Sequence, residues 1–253
     1  MKRKTVAAGF ALCAAVAGVG VGVIRAENKP DPNVARAIEE LKKQLPNISA
    51  PQISESEIPG LFKLVAGQQI MYWSPGGYMI VGEMYDVKKG KNITAEQRQE
   101  IMKEYETVLS KKVQKMPLDN AVKIGNGKNV VIEFTDPDCP YCKKMGKFLD
   151  EQKNITRYVF LFPLKMHPNA HAKSAYVLSQ TDKQEALKRV FSGEFDKKPV
   201  PEAIASAKDQ VNKNIKLGEE LGISGTPTVF VNGSLVRGVD FKRLKMLLES
   251  GQS

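Results

Sequence analysis

Cys139 and Cys142 stand three positions apart in the stretch FTDPDCPYCKKM, and the chain of 253 residues has only one further cysteine, Cys13. A Cys-x-x-Cys pair serves as half of a zinc site, as a structural staple or as a redox couple. Zinc takes about four ligands, and beyond the pair the chain after the N-terminal signal, which holds Cys13, offers only His167 and His171, in HPNAH. Pro168 marks that stretch as a helix entry, and it lacks the Glu of the His-Glu-x-x-His pattern. Both histidines read as structural or surface residues, and no metal is expected. A disulfide between residues three apart closes a tiny loop and restricts the unfolded chain little. The redox use fits best.

The flanking residues supply the chemistry. Val130–Phe134 (VVIEF) reads as a buried strand feeding the turn TDPD. Cys139 then falls at a helix N-cap, with Pro140 in the first turn. Unpaired N–H groups and the partial positive charge at a helix N-terminus favour a thiolate there. Cys142 lies one turn further in and is expected to be more buried, with a higher pKa. Cys139 is thus the attacking sulfur and Cys142 the resolving one. Pro140 and Tyr141, between them, tune the couple. Lys143 and Lys144 are expected to point to solvent.

Glu133 interrupts the apolar strand and shares a face with Val131. Under a sheet covered on both sides it is buried with a raised pKa, and it could exchange protons with Cys142 through water. The other reading is a strand-end Glu reaching solvent or a lysine. Downstream, GISGTPTVFVNG places Thr226-Pro227 before a strand. X-Pro bonds can be cis at modest cost. A cis bond here would turn the Thr226 backbone outward, ready to pair with an extended peptide beside the cysteines. Gly-Thr-Pro alone is a turn signal; with the cysteine pair upstream it becomes specific.

Several elements must position these residues. DPNVARAIEELKKQL carries Val34, Ile38, Leu41 and Leu45 on one helical stripe, with Asp31 as cap and Pro32 at the first position. From Ile58 to Val87 the period shortens, and LFKLVAG, QQIMYW and YMIVGEMYDV read as strands of a small antiparallel sheet. Such a sheet buries little apolar surface and leaves edges unpaired, which points to a second copy or to covering by the rest of the chain. NITAEQRQEIMKEYETVLSKKVQK follows as a helix with a Thr94/Gln97 capping box. Its face of Ile101, Tyr105, Val108 and Lys112 turns polar after two turns, as in a partly buried connector ended by Pro117. The second half reads strand, helix, strand, several helices over about 169–222, a β-hairpin around Asn232-Gly233 and a closing helix.

The first residues, MKRKTVAAGFALCAAVAGVGVGVIRAENKP, form a bacterial-type secretory signal, cleaved after Ala26 or after Ala17. The alternative is an uncleaved anchor, since a span needs roughly 20 apolar residues. Removing residues 1–26 takes Cys13 and four basic residues (Lys2, Arg3, Lys4 and Arg25), so the formal charge falls from +10 to +6. That charge is spread over Lys-rich helices and reads as a solvated surface. No aromatic-interleaved basic patch or nucleic-acid motif is present, so no nucleic-acid partner is expected.

With these residues in place, the chain resembles the thioredoxin superfamily, and within it the bacterial periplasmic protein-disulfide isomerases of the DsbC/DsbG type. FTDPDCPYC, FLFP, LGISGTPTVFVNG and the upstream IPGLFKLVAGQQIMYWSPGGYMIVGEMYD carry the likeness, which covers nearly the whole chain after the signal. The resemblance implies an α+β protein: a signal over 1–26, a cystatin-like dimerisation domain over 27–92, a linker helix over 93–116, and a thioredoxin-like α/β domain over 117–253 with a helical insertion at about 168–222. It implies a V-shaped homodimer in the periplasm whose cleft receives misfolded disulfide-containing exported proteins. A membrane thiol reductase of the DsbD type would keep the cysteines reduced, and no cofactor is implied. By the match, Cys139 is the nucleophile, Cys142 the resolving cysteine, and Pro227 the cis-proline with Thr226 beside it. The implied activity is isomerisation or reduction of incorrect disulfides. A thiol oxidase, or a chaperone with secondary redox activity, are the alternatives. Two features depart from the pattern. Some members carry a second cysteine pair in the insertion; this chain has none there, so the insertion is expected to be held by packing alone. Glu133 is more like the buried acid of thioredoxin and of the DsbA oxidases than like these isomerases.

Overall fold

The structure, a computed structural model, describes residues 31–48 and 51–251. The targeting signal and Cys13 lie outside the described residues. Among the described residues, no helix is long and apolar enough to cross a membrane.

The N-terminal unit opens with α1 (Pro32–Gln44), where the Asp31 carboxylate accepts from Asn33 N at 2.8 Å and Pro32 takes the first position. Four antiparallel strands follow in the order β1-β2-β3-β4: β1 (Gln52–Glu55), β2 (Phe62–Ala66), β3 (Gln69–Ser74) and β4 (Tyr78–Ile80). Helix and sheet close over Ala37, Leu41, Phe62, Leu64 and Trp73. The expected stripe is only half used: Leu41 is buried, but Leu45 caps the helix in an exposed position. β1 escaped the sequence reading because Ile53 is its one apolar residue. YMIVGEMYDV is not one strand either. It breaks after Ile80, and β5 (Tyr85–Asp86) pairs with β6 (Lys91–Asn92) in a separate two-stranded ribbon.

α2 (Ile93–Lys115) is capped by Asn92, whose side chain accepts from Ala95 N at 2.9 Å. The capping box expected at Thr94 does not form. Thr94 is buried inside the first turn, where its hydroxyl meets Tyr72 Oη at 2.6 Å and accepts from Met84 N at 2.8 Å. Gln97 instead donates to Glu57 at 2.8 Å. The packed face is also rotated from the expected one. Leu109 and Val113 are buried and Tyr105 joins them, so the last turns are fixed to the following domain rather than solvated. Tyr105 Oη donates to Gly222 O at 3.1 Å, and the Arg237 guanidinium lies 5.2 Å from the Tyr105 ring.

The C-terminal domain is a five-stranded sheet of order β11-β10-β8-β9-β7. In chain order it comprises β7 (Val122–Ile124), β8 (Asn129–Thr135), α3 (Pro140–Asp150), β9 (Ile155–Leu161), α4 (Ala170–Ser179), α5 (Lys183–Phe191), α6 (Ala205–Glu220), β10 (Thr228–Val231), β11 (Ser234–Arg237) and α7 (Phe241–Ser250). β8 and β9 run parallel across the α3 crossover, and the remaining pairs are antiparallel. One face packs on α3 and α7 through Val131, Met145, Leu149, Val229 and Leu244. The other packs on α2 through Ile132, Phe134, Phe160 and Phe230. The sheet is thus covered on both sides, as its continuous apolar strands demand. Asn232 and Gly233 turn the hairpin with φ of 50° and 86°, the pair of positive values that the commonest two-residue hairpin loop needs.

Candidate active site

The turn after β8 is built by Asp136. Its Oδ1 accepts from Asp138 N at 2.7 Å, and its carbonyl accepts from Cys139 N at 3.2 Å. Such an Asx turn lets a short side chain stand in for backbone. It delivers Cys139 to the N-cap of α3 with Pro140 as first helical residue, as the sequence reading expected. Cys139 makes no capping hydrogen bond with its side chain, and it stands at the helix end whose first N–H groups lack intrahelical partners. Cys139 is nearly buried and Cys142 wholly so; the two are not joined by a disulfide.

The second wall comes from the other end of the domain. Thr228 of β10 lies opposite Phe134 of β8, which carries the preceding residues to the cysteines. The Thr226–Pro227 peptide is cis, and Cys139 Sγ sits 3.6 Å from the Thr226 carbonyl oxygen. Cys142 Sγ accepts from Asp136 N at 3.4 Å. The Thr226 and Thr135 hydroxyls have no conventional partner and face this sulfur. Burial pushes the Cys142 thiol far above its ordinary value. The Thr226 hydroxyl, the Asp136 amide and the Thr135 hydroxyl oppose that shift, and the neighbouring Cys139 adds to it. Tyr141 is exposed over the helix start, with Lys144 Nζ 5.7 Å from its ring. Pro140 is exposed beside it.

Glu133 is buried, as one sequence reading had it, but it is not alone. Arg157 Nε donates to Glu133 Oε2 at 2.8 Å, and Arg157 Nη1 reaches Asp150 at 2.9 Å. Arg157 Nη2 is 2.7 Å from the same Glu133 oxygen but off the hydrogen-bond direction, and Glu133 Oε1 has no partner. Glu133 faces neither solvent nor a lysine.

The insertion is held by more than packing, which corrects the sequence expectation. Lys173 of α4, buried beside Ala170, Ala175 and Val177, donates to Asp138 at 2.5 Å and to Asp196 at 2.6 Å. Lys143, expected in solvent, donates to the other Asp196 oxygen at 2.9 Å. Burial alone would lower the pKa of the Lys173 ammonium, but its hydrogen bonds to Asp138 and Asp196 outweigh it and the net direction is up. Lys173 and then Lys143 hold the Asp196 carboxyl below its usual range. His167 lies 2.9 Å from the buried Asp136 carboxylate, and His171 is 3.0 Å from Asn212. Among the described residues, no group of three or more His, Cys, Asp or Glu is arranged to hold a metal.

Sequence reasoning thus missed Asp136, Arg157, Lys173 and Asp196. Two signals were available: Arg157 in the apolar run ITRYVFLF and Lys173 among AHAKSAYVLS are charges where the period demands a buried side chain. Nothing local announces Asp196, whose role depends on a contact between distant segments.

The chain is similar to known proteins in both of its parts. Residues 27–95 match the family described as disulfide bond isomerase protein N-terminal domain, and residues 116–252 match the thioredoxin-like domain family. The probable thiol:disulfide interchange protein DsbC of Bordetella avium is 31% identical over 175 residues, 68% of this chain and 58% of that protein, so the chain spans under two thirds of that relative. The thiol:disulfide interchange protein DsbC of Escherichia coli is 26% identical over 212 residues, 81% of this chain and 84% of its own length. The crystal structure of a disulfide interchange protein from Neisseria gonorrhoeae is 33% identical, covers 55% of this chain and 99% of its own, and superposes with a TM-score of 0.47. A thioredoxin-like domain behind a disulfide-isomerase N-terminal domain places this chain in the thioredoxin-like family, among proteins of the DsbC/DsbG type.

Proposed function

We propose that the protein is a periplasmic thiol:disulfide interchange enzyme that isomerises or reduces incorrect disulfides in exported proteins through Cys139 and Cys142. One observation carries this reading: Cys139 Sγ lies 3.6 Å from the Thr226 carbonyl, at a helix start and beside a cis-proline. An extended substrate pairs with the Thr226 backbone. The Cys139 thiolate attacks one sulfur of a substrate disulfide, forms a mixed disulfide and expels the other sulfur as a thiolate. Another substrate thiolate then attacks the substrate sulfur of the mixed disulfide, which releases Cys139 with no net electron transfer. Alternatively Cys142 loses its proton and attacks Cys139, leaving an oxidised pair and a substrate reduced by two electrons. Water and the unpartnered Glu133 Oε1 are the route proposed for that proton. A membrane thiol reductase of the DsbD type supplies two electrons and returns the oxidised pair to the dithiol. Export by the N-terminal signal supplies the compartment in which substrate disulfides exist.

The N-terminal unit serves this chemistry by pairing two copies. β4 is an edge strand whose Tyr78 and Ile80 are exposed, followed by exposed Val81, Tyr85 and Val87. An apolar unpaired edge is a template for a second chain, and a homodimer through it encloses a cleft between two redox sites. The test is refolding of a scrambled multi-disulfide protein. Wild type accelerates it, Cys139→Ser does not, and a Tyr78→Asp, Ile80→Asp variant becomes monomeric and loses isomerisation while keeping thiol reactivity. Equal acceleration by Cys139→Ser would remove the enzymatic reading. A resting oxidised pair in cells, seen by thiol alkylation, would turn it into an oxidase.

A further inference from the structure

The helical insertion reaches the residues that flank the redox pair through charge. Lys173 Nζ bridges Asp138 and Asp196, and Asp196 also accepts from Lys143, which closes a chain of four alternating charges. Its ends bracket the redox motif: Asp138 directly precedes Cys139, and Lys143 directly follows Cys142. Asp196 is placed by a turn in which its amide donates to Gly193 O at 3.0 Å. Gly193 has φ of 89°, and a Cβ there would come within 2.8 Å of Asp196 Oδ2, so the turn is shaped around the carboxylate. The Lys173 side chain is only 2% exposed. Buried ion pairs are weak stability devices, since apolar replacements are often neutral or stabilising. A chain of charges whose two ends are the sequence neighbours of the redox cysteines has a better use as a fixed electrostatic frame. Two lysines and two aspartates cancel, so loss of any one leaves a unit charge uncompensated beside the pair, where partial burial weakens screening. The other charges around the site are the Asp136 carboxylate with His167, Lys144 over Tyr141, and the Arg157 guanidinium with Glu133 and Asp150 beneath α3.

We propose that Lys173 and Asp196 are positioning residues for the redox pair, through which the helical insertion sets the reactivity of the Cys139 sulfur. The inference rests on Cys139 being the attacking sulfur. It predicts effects of opposite sign, which a purely structural role does not. Lys173→Met leaves the frame negative and disfavours the Cys139 anion. Asp196→Asn leaves it positive and favours that anion.

The experiment is alkylation of the reduced full-length protein by iodoacetamide at pH 6 and pH 7, with each cysteine followed by mass spectrometry. Alongside it, the thiol–disulfide equilibrium with glutathione is measured. Relative to wild type, Cys139 alkylation is expected to slow about two- to tenfold in Lys173→Met and to speed up by a similar factor in Asp196→Asn. The double variant returns to within about twofold. The glutathione equilibrium moves the same way: the disulfide becomes less oxidising in Lys173→Met and more oxidising in Asp196→Asn. Should Lys173→Met fail to fold, Lys143→Met removes a positive charge from a more exposed position and supplies the same sign. Shifts in one common direction, or no shift in folded variants, overturn the proposal. Preferential alkylation of Cys142 in wild type would instead overturn the assignment of the nucleophile, before any variant is compared.

Discussion

Arg157 Nε donates to Glu133 Oε2 at 2.8 Å between two parallel neighbouring strands, and neither side chain meets solvent. The pair lies under α3, and Asp150 at the end of that helix binds the same guanidinium from a half-exposed position. A charge sunk in the sheet beneath the redox helix thus has its counter-charge built into the adjacent strand.

Breaking that pair strands its partner. Removing one member of a buried ion pair costs about 3–5 kcal/mol. Asp150 still serves Arg157, so Glu133→Gln is expected near the lower end, about 3 kcal/mol, as a fall in the urea midpoint at unchanged m-value. Arg157→Met, which strands the carboxylate, should cost at least as much. A proton route through Glu133 adds a kinetic signature: resolution of the mixed disulfide slows in Glu133→Gln and not in Arg157→Met. Stopped-flow release of a model mixed disulfide reads it directly.

The buried Cys142 thiol makes the reduced protein sensitive to alkali. Burial raises its pKa in the folded state, whereas an unfolded cysteine ionises near about 8.5. Above that value the unfolded chain sheds a proton that the native site retains, so stability falls as pH rises, by up to about 1.4 kcal/mol per pH unit. Below about pH 8 both states keep the proton and the contribution is constant. Urea titrations of reduced wild type and Cys142→Ala at pH 8 and pH 10 isolate the effect from other titrating groups. Parallel slopes for the two proteins would refute it.

Thr226 acts on the two sulfurs through different atoms, its carbonyl toward Cys139 and its hydroxyl toward Cys142. Thr226→Val keeps the carbonyl and the shape and removes the hydroxyl. One hydrogen bond contributes about 0.5–1.5 kcal/mol, so Cys142 attack is expected to slow about two- to tenfold. The first attack by Cys139 should stay within about twofold of wild type, since its contact survives. Rapid-mixing kinetics of mixed-disulfide formation and release separate the steps, and equal slowing of both would show that the carbonyl had moved.

Much of this was legible along the chain because the signals are local. The Cys-x-x-Cys spacing, the strand before it and Pro140 place Cys139 at a helix N-cap whatever surrounds them. Asp31 with Pro32, and Asn232 with Gly233, likewise announce a helix start and a hairpin through their own backbone preferences. Local signals failed where a side chain had a better distant partner. Thr94 could cap α2, yet its hydroxyl goes to Tyr72, a buried phenol needing a hydrogen bond. Leu109 and Val113 displaced Ile101 and Val108 as the packed face because the sheet of the second domain meets the helix from that side.

From sequence alone came the Cys-x-x-Cys spacing, the helix start at Cys139 and the turn signal at Thr226-Pro227, since residue type and short spacing dictate each. Tertiary structure decided which charges answer one another. Arg157 meets Glu133, and Lys173 and Lys143 meet Asp138 and Asp196, only when strands and helices far apart in the chain are packed together. The physical reason is range: backbone preference acts over a few residues, while a buried charge takes the counter-charge that the completed fold brings within hydrogen-bonding distance.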